Sequence, residues 1–246
     1  MIKYIVILTK IIIVTMIILL FFSCKYDIDW GDGIDGTGDV TVEKRDIKES
    51  FTKVKVNRGL EIIISQSEVK EIEVEADQNL LEHISTKVEN GVLIITSDEN
   101  IESAETLIVR VQMPVIEGLT ATSGSTITVG TTLKGTSIRL DSSSGSEIEA
   151  ILEYDEVRSS SSSGSSITLS GKALNLFTDA SSGSDITAEA LEANTVKSEA
   201  SSGSTSSVNA LQELTASASS GASIESVTKP ANINKDESSG GSVSIP

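Results

Sequence analysis

TSGST (122–126), SSGSE (143–147), SSGSS (162–166), SSGSD (181–185), SSGST (201–205), SSGAS (219–223) and SSGGS (238–242) are seven versions of one short run. Their glycines, Gly124, Gly145, Gly164, Gly183, Gly203, Gly221 and Gly240, stand 21, 19, 19, 20, 18 and 19 residues apart. A fixed period of about 20 residues is the sequence mark of a solenoid, in which each repeat is one coil stacked on the next.

Two apolar columns keep step with the glycines. Seven residues before them stand Ile138, Val157, Leu176, Val196, Leu214 and Ile233; three residues after stand Ile127, Ile148, Ile167, Ile186, Ile224 and Val243, with Ser206 as the exception. Small residues such as Ala180, Ala200, Ala216 and Ala218 hold the same parity, and Arg139, Asp141, Arg158, Asp179, Lys197 and Glu199 hold the other. Such alternation describes strands with one buried face. A disordered Ser/Gly spacer has no reason to keep apolar columns in register. At each corner a glycine supplies the positive φ that a tight turn needs, and flanking serines can bond the backbone groups the turn leaves free. Stacking would place serine above serine at about 4.8 Å, as a hydroxyl ladder along the axis. The reading is all-β: a single-stranded right-handed parallel β-helix with coils of 19–20 residues.

Upstream, strand patterns run over 52–56, 60–65, 71–76, 91–96 and 107–113, separated by Asn57, Arg58, Gly59, Asn90 and Gly91. Residues 79–85 suit one helical turn. These strands lead without a linker into the first Ser-Gly corner, so they are expected to be earlier, less regular coils of the same stack.

The start of the chain carries an address. Residues 1–23 place Lys3 and Lys10 before an apolar run from Ile11 to Phe22, which is short for a bilayer span and fits a signal peptide. Cys24, the single cysteine, follows at once, so an internal disulfide is excluded. Its position resembles the lipobox of bacterial lipoproteins, with small Ser23 before it, although Phe21 and Phe22 depart from the usual pattern. Lipidation of Cys24 is the expectation, and an uncleaved membrane anchor is the alternative. The segment 24–39, rich in Asp and Gly, reads as a hydrated tether; its spacing does not match a calcium loop. Residues 40–246 form the body.

The chain has a formal charge of −17 and 3% aromatic residues. That balance disfavours nucleic acid and anionic membrane surfaces as partners. It leaves a lipid anchor as the membrane contact.

The residues 36–68 (GTGDVTVEKRDIKESFTKVKVNRGLEIIISQSE), 72–97 (IEVEADQNLLEHISTKVENGVLIITS) and 107–127 (LIVRVQMPVIEGLTATSGSTI) resemble the putative auto-transporter adhesin, head GIN domain family. The resemblance spans 39–246. It implies a right-handed β-helix exported by a Gram-negative bacterium, commonly as a lipoprotein, and defines no catalytic residues. No C-terminal stretch is long enough to build a translocating barrel, so a complete autotransporter is not expected.

Catalytic chemistry finds little support. His83 is the single histidine and there is no cysteine beyond Cys24, so neither the usual zinc sites nor a cysteine-based nucleophile site is expected. A Ser/His/Asp triad stays arithmetically open, against a structural histidine beside Leu80, Leu81 and Ile84. Four residues before the glycines lie Asp141, Ser160, Asp179, Glu199, Ser217 and Asp236. Asp179 and Glu199, on adjacent coils, are the metal candidates, expected to give weak and non-specific divalent-cation binding; no cofactor is expected. Tyr26, Trp30, Phe51, Tyr154 and Phe177 are the aromatics left for gripping sugar rings in the mature chain. The expected function is a non-catalytic envelope lipoprotein at the outer membrane, on its periplasmic or outer side, that presents a solenoid face to a protein or glycan. The alternatives are a polysaccharide-acting envelope enzyme and a purely structural spacer.

Overall fold

The computed structural model describes residues 33–246 together with Lys10. Cys24, the rest of the segment 1–23 and residues 25–32 of the expected tether lie outside the described residues. Ile34–Pro246 is a compact unit holding every core residue of the described chain.

The repeats form a parallel β-solenoid of about seven turns. Its registers follow the glycine alignment: Ile148 pairs with Ile167, Ile167 with Ile186, and Ile186 with Ser206. Strands Glu147–Ser162, Ser166–Ala180, Asp185–Ala200 and Thr205–Ala218 each run from one side of a coil round onto the next. Both apolar columns point inward and are buried, from Ile127 to Val243 and from Ile138 to Leu214. Ile233 departs from this and is 40% exposed, because its strand Asn232–Glu237 is laddered to Thr205–Ala218 and, among the described residues, to no further strand.

At every Ser-Gly corner two successive residues have positive φ, for example Ser163 at 56° and Gly164 at 69°. That is the requirement of a type I′ turn. The corners stack through backbone bonds: Gly145 N–H donates to the Ser163 carbonyl, and Gly164 N–H to Ser182. The serine after each glycine turns inward. Ser165 Oγ accepts the Ser162 N–H at 3.1 Å and donates to the Ser142 carbonyl of the preceding coil at 2.8 Å; Ser184 and Ser204 repeat this on Ser161 and Ala180. The ladder thus runs from hydroxyl to backbone and not from hydroxyl to hydroxyl along the axis, since equivalent atoms about 4.8 Å apart are beyond hydrogen-bond reach. Hydroxyl pairs form across one corner instead, as in Ser142–Ser146 at 2.8 Å. Ser206, which interrupts the isoleucine column, is fully buried with its hydroxyl bonded to Thr178 Oγ1 at 3.2 Å and Ser198 Oγ at 3.1 Å. Three hydroxyls satisfy one another there in place of one isoleucine.

The upstream strands are coils, but not in chain order. Lys53–Val56 and Glu61–Gln66 make one coil around the corner Arg58-Gly59. The next strands to join the stack, Val92–Ser97 and Leu107–Met113, lie on one side of that coil; Gly118–Thr122 and Thr126–Val129 lie on the other. The chain therefore builds a second coil, steps down to build the first, and returns to build the third. Strands Glu71–Asp77 and Ile84–Glu89 are antiparallel to the lowest coil, and Val40–Lys44 is antiparallel to Glu71–Asp77. Between them the 3-10 turn Gln78–His83 buries Leu80 and Leu81, closing a core end that a bare terminal coil would leave open to water. Residues 34–39, expected as the end of a tether, belong to this unit: Ile34–Asp35 pairs with Ile101–Ser103, and Asn79 Nδ2 donates to the Asp35 carbonyl at 2.8 Å.

Candidate ligand-binding face

Outward-facing side chains inherit the register of the coils, so residue types fall into rows along the axis. One row reads Lys53, Gly118, Arg139, Arg158, Phe177, Lys197; its neighbour reads Lys55, Thr120, Asp141, Ser160, Asp179, Glu199. In the upper coils cation and acid two residues apart close on each other. Arg139 grips Asp141 with two bonds of 2.7 and 2.8 Å, and Lys197 meets Glu199 at 2.7 Å. Those bonds and the Asp141 charge raise the Arg139 pKa further above its usual range. Arg158 bonds Glu156 at 2.8 Å and lies 4.1 Å over the Phe177 ring, a cation–π contact.

Asp179 and Glu199 are adjacent across the coils, as the sequence spacing implies. Glu199 is already engaged by Lys197, and no three His, Cys, Asp or Glu side chains gather into a metal-binding group among the described residues. His83 Nδ1 lies 3.0 Å from Asp98 Oδ1, and Nε2 faces Glu82 at 3.9 Å. No serine or threonine hydroxyl hydrogen-bonds His83 among the described residues. The pair ties the 3-10 turn to the strand end after Ser97.

Lower on the same face, where the out-of-order coil enters the stack, the rows open into a groove of about 840 Å³. One wall is the loop 114–117, the other the segment 134–137. Gln66 binds both: its amide nitrogen donates to the carbonyls of Pro114 and Lys134, each at 2.9 Å, and its oxygen accepts the Lys134 N–H at 2.7 Å. Tyr154 passes beneath Gly135, where a Cβ would stand 2.6 Å from its ring, and donates its hydroxyl to the Ile116 carbonyl at 2.8 Å. Both walls are thus fixed by side chains from other coils. None of this was visible in the sequence, because Lys53 and Arg139 become neighbours only through the coil order. The one available signal was the spacing of Gly59 and Ile62, which repeats the interval from corner glycine to inward isoleucine.

Burial, and then the charge of Glu117, push the Tyr154 phenol up to about 12. Its neutral form is favoured by the fold, so this contribution to stability is complete below pH ~10, the ordinary tyrosine value, and fades as pH rises toward 12. Tyr154 is the sole tyrosine of Ile34–Pro246. Near-ultraviolet absorbance of that unit should therefore show one phenol ionising with a midpoint near 12. A midpoint at the ordinary value would show that the phenol is not sealed beneath Gly135.

The family model of the putative auto-transporter adhesin, head GIN domain, matches residues 50–230. No curated protein matches the chain. Among solved structures, a putative adhesin from Bacteroides fragilis aligns with a TM-score of 0.81 at 16% identity, covering 87% of this chain and 100% of that one. A putative adhesin from Parabacteroides distasonis aligns with a TM-score of 0.71 at 19% identity, over 87% of this chain and 100% of that one. A protein from the same species described as a putative lipid binding protein aligns with a TM-score of 0.69 at 16% identity, over 87% and 99%. At these identities the likeness is one of fold.

Proposed function

The chain belongs to the putative auto-transporter adhesin, head GIN domain family, and from that membership we propose that it is a non-catalytic, lipid-anchored envelope protein whose solenoid presents one long face for adhesion. The observation that carries this reading is the set of rows on the outer face. Side chains on that face are set in register from coil to coil by the backbone ladder, and Arg139–Asp141, Arg158–Glu156 and Lys197–Glu199 orient one another within their coils. A surface ordered before binding loses less side-chain entropy when a partner docks.

The reading places the anchor at Cys24. Cys24→Ser should move the protein from the membrane fraction to the soluble fraction, or stall its precursor, and cells carrying it should lose the adhesion that the parent confers. Protease added to intact cells then reports the side of the outer membrane. Unchanged partitioning of the variant would refute the anchor; equal adhesion by cells lacking the whole chain would refute the adhesive role.

A further inference from the structure

We propose that the groove between loop 114–117 and segment 134–137 binds an acidic saccharide, with Lys53 and Lys55 taking its carboxylate or sulfate groups. This rests on the reading of the outer face as adhesive and names the chemistry of its ligand.

Charge is the first argument. In a chain of formal charge −17, the groove gathers Lys53, Lys55, Lys134 and Arg139 against Glu117 and Asp141. Lys134 is engaged by Glu153 at 2.6 Å, Arg139 by Asp141, and Glu117 accepts the Thr52 hydroxyl at 2.7 Å. Lys53 and Lys55 form no ion pair among the described residues. The reason lies in the rows: the coil above them offers Gly118 and Thr120 where higher coils offer a cation and an acid. Two lysines without counter-charges, side by side on an acidic protein, form a local attraction for anions.

Space and rigidity are the second. Gly118 leaves the row without a side chain, and a Cβ there would stand 3.2 Å from Lys53 Cγ. Lys53 therefore leans over a notch that Arg139 flanks from the next coil. Gln66 and Tyr154 hold the walls. The volume is that of a site for a ligand of small-molecule size, a few sugar rings.

The available groups select the class. Strand Lys53–Val56 is laddered on both sides, so no backbone edge is free for a peptide to add as a strand. What remains are point charges, the hydroxyls of Thr120, Thr136 and Ser137, and the apolar side chains of Val92, Pro114 and the exposed Val115, on which the C–H face of a sugar ring can rest. An acidic sugar matches these with anionic groups and many hydroxyls, whereas an acidic peptide would leave its main chain unpaired.

The test is calorimetric titration of Ile34–Pro246 with oligogalacturonate, a heparin-derived oligosaccharide, a neutral cello-oligosaccharide and oligoglutamate. At least one acidic saccharide should bind at low salt and weaken as salt screens the lysines. The neutral sugar and the peptide should bind about tenfold or more weakly, the loss expected when a charge-assisted hydrogen bond goes unmade. The double variant Lys53→Gln, Lys55→Gln should lose about tenfold per lysine by the same reckoning and keep the parent's thermal midpoint. Gly118→Val, which fills the notch at constant charge, should bind as poorly. Oligoglutamate binding as tightly as the saccharides, undiminished binding by the lysine variant, or no binding in any arm would overturn the proposal. If cells still adhere through the anchored protein when these arms fail, the ligand assignment falls and the adhesive reading stands.

Discussion

Ile167→Asp is expected to destabilise the protein by at least about 4 kcal/mol, because it removes a buried isoleucine and places an unpaired carboxylate among hydrocarbon. Ile167 is 1% exposed, and its neighbours in the column are Ile148 and Ile186, likewise buried. No hydroxyl lies in register on either side. Ile186→Asp makes a useful contrast, because Ser206 is its neighbour on the next coil and a hydroxyl can donate to the new carboxylate. That variant should recover about 1.5–3 kcal/mol of the loss, the value of a hydrogen bond to a charged group. Urea denaturation of both, beside Ile167→Ala, separates charge from cavity. A buried aspartic acid has its pKa raised in the folded state, so both Asp variants should be most stable in acid and lose stability as pH rises. Because each coil covers the next, protease sensitivity should spread to the adjoining coils. Parent-like unfolding of Ile167→Asp would mean that the column does not line the core.

The repeats were legible because two periodicities coincide there. Glycine positions mark the corners, apolar residues mark the inner face, and parallel stacking preserves both over seven turns. Ser206 looked like a break in the column, and the partners that satisfy it, Thr178 and Ser198, sit at a different phase that the column alone could not disclose. At the N-terminal end the strands near 52–56, 60–65, 71–76, 91–96 and 107–113 were legible, but Ile34–Asp35 and Ile84–Glu89 were not, nor was the order of the coils. Asn90-Gly91, with φ of 51° and 76°, joins Ile84–Glu89 to Val92–Ser97 as a two-residue hairpin. Asn-Gly between two apolar runs is a strong local signal for antiparallel pairing, and it marks where the solenoid stops being purely parallel. That Lys53–Gln66 lies between two later coils has no local signal at all. It is decided by which strand edges remain to be covered. The groove is a product of that closure, which explains why its lysines stayed anonymous in the sequence while the acids of the regular rows stood out.

The sharpest test of the packing is a single methyl group. Gly171 pairs with Leu152 below and Leu191 above, on a column that begins with Leu133. It is the one member of that row without a side chain, and its φ of 108° lies where L residues are strained. A Cβ there would stand 2.1 Å from the Leu152 carbonyl oxygen. That oxygen is backbone in the neighbouring coil, so no rotamer change relieves the clash. The coils must part locally and give up ladder hydrogen bonds. Gly171→Ala should therefore cost about 3 kcal/mol or more, combining a forbidden φ with a displaced strand. Gly164→Ala is the control. Its φ of 69° is also positive, but nothing lies within 4 Å of its would-be Cβ, so only the left-handed penalty of about 1–2 kcal/mol applies. Denaturation of the two variants should rank them in that order, with amide exchange accelerated for Gly171→Ala in the strands Glu147–Ser162 and Ser166–Ala180 on either side of the clash. Equal losses would show that the coils can separate at Gly171 without cost, and that backbone contact there does not set the spacing of the stack.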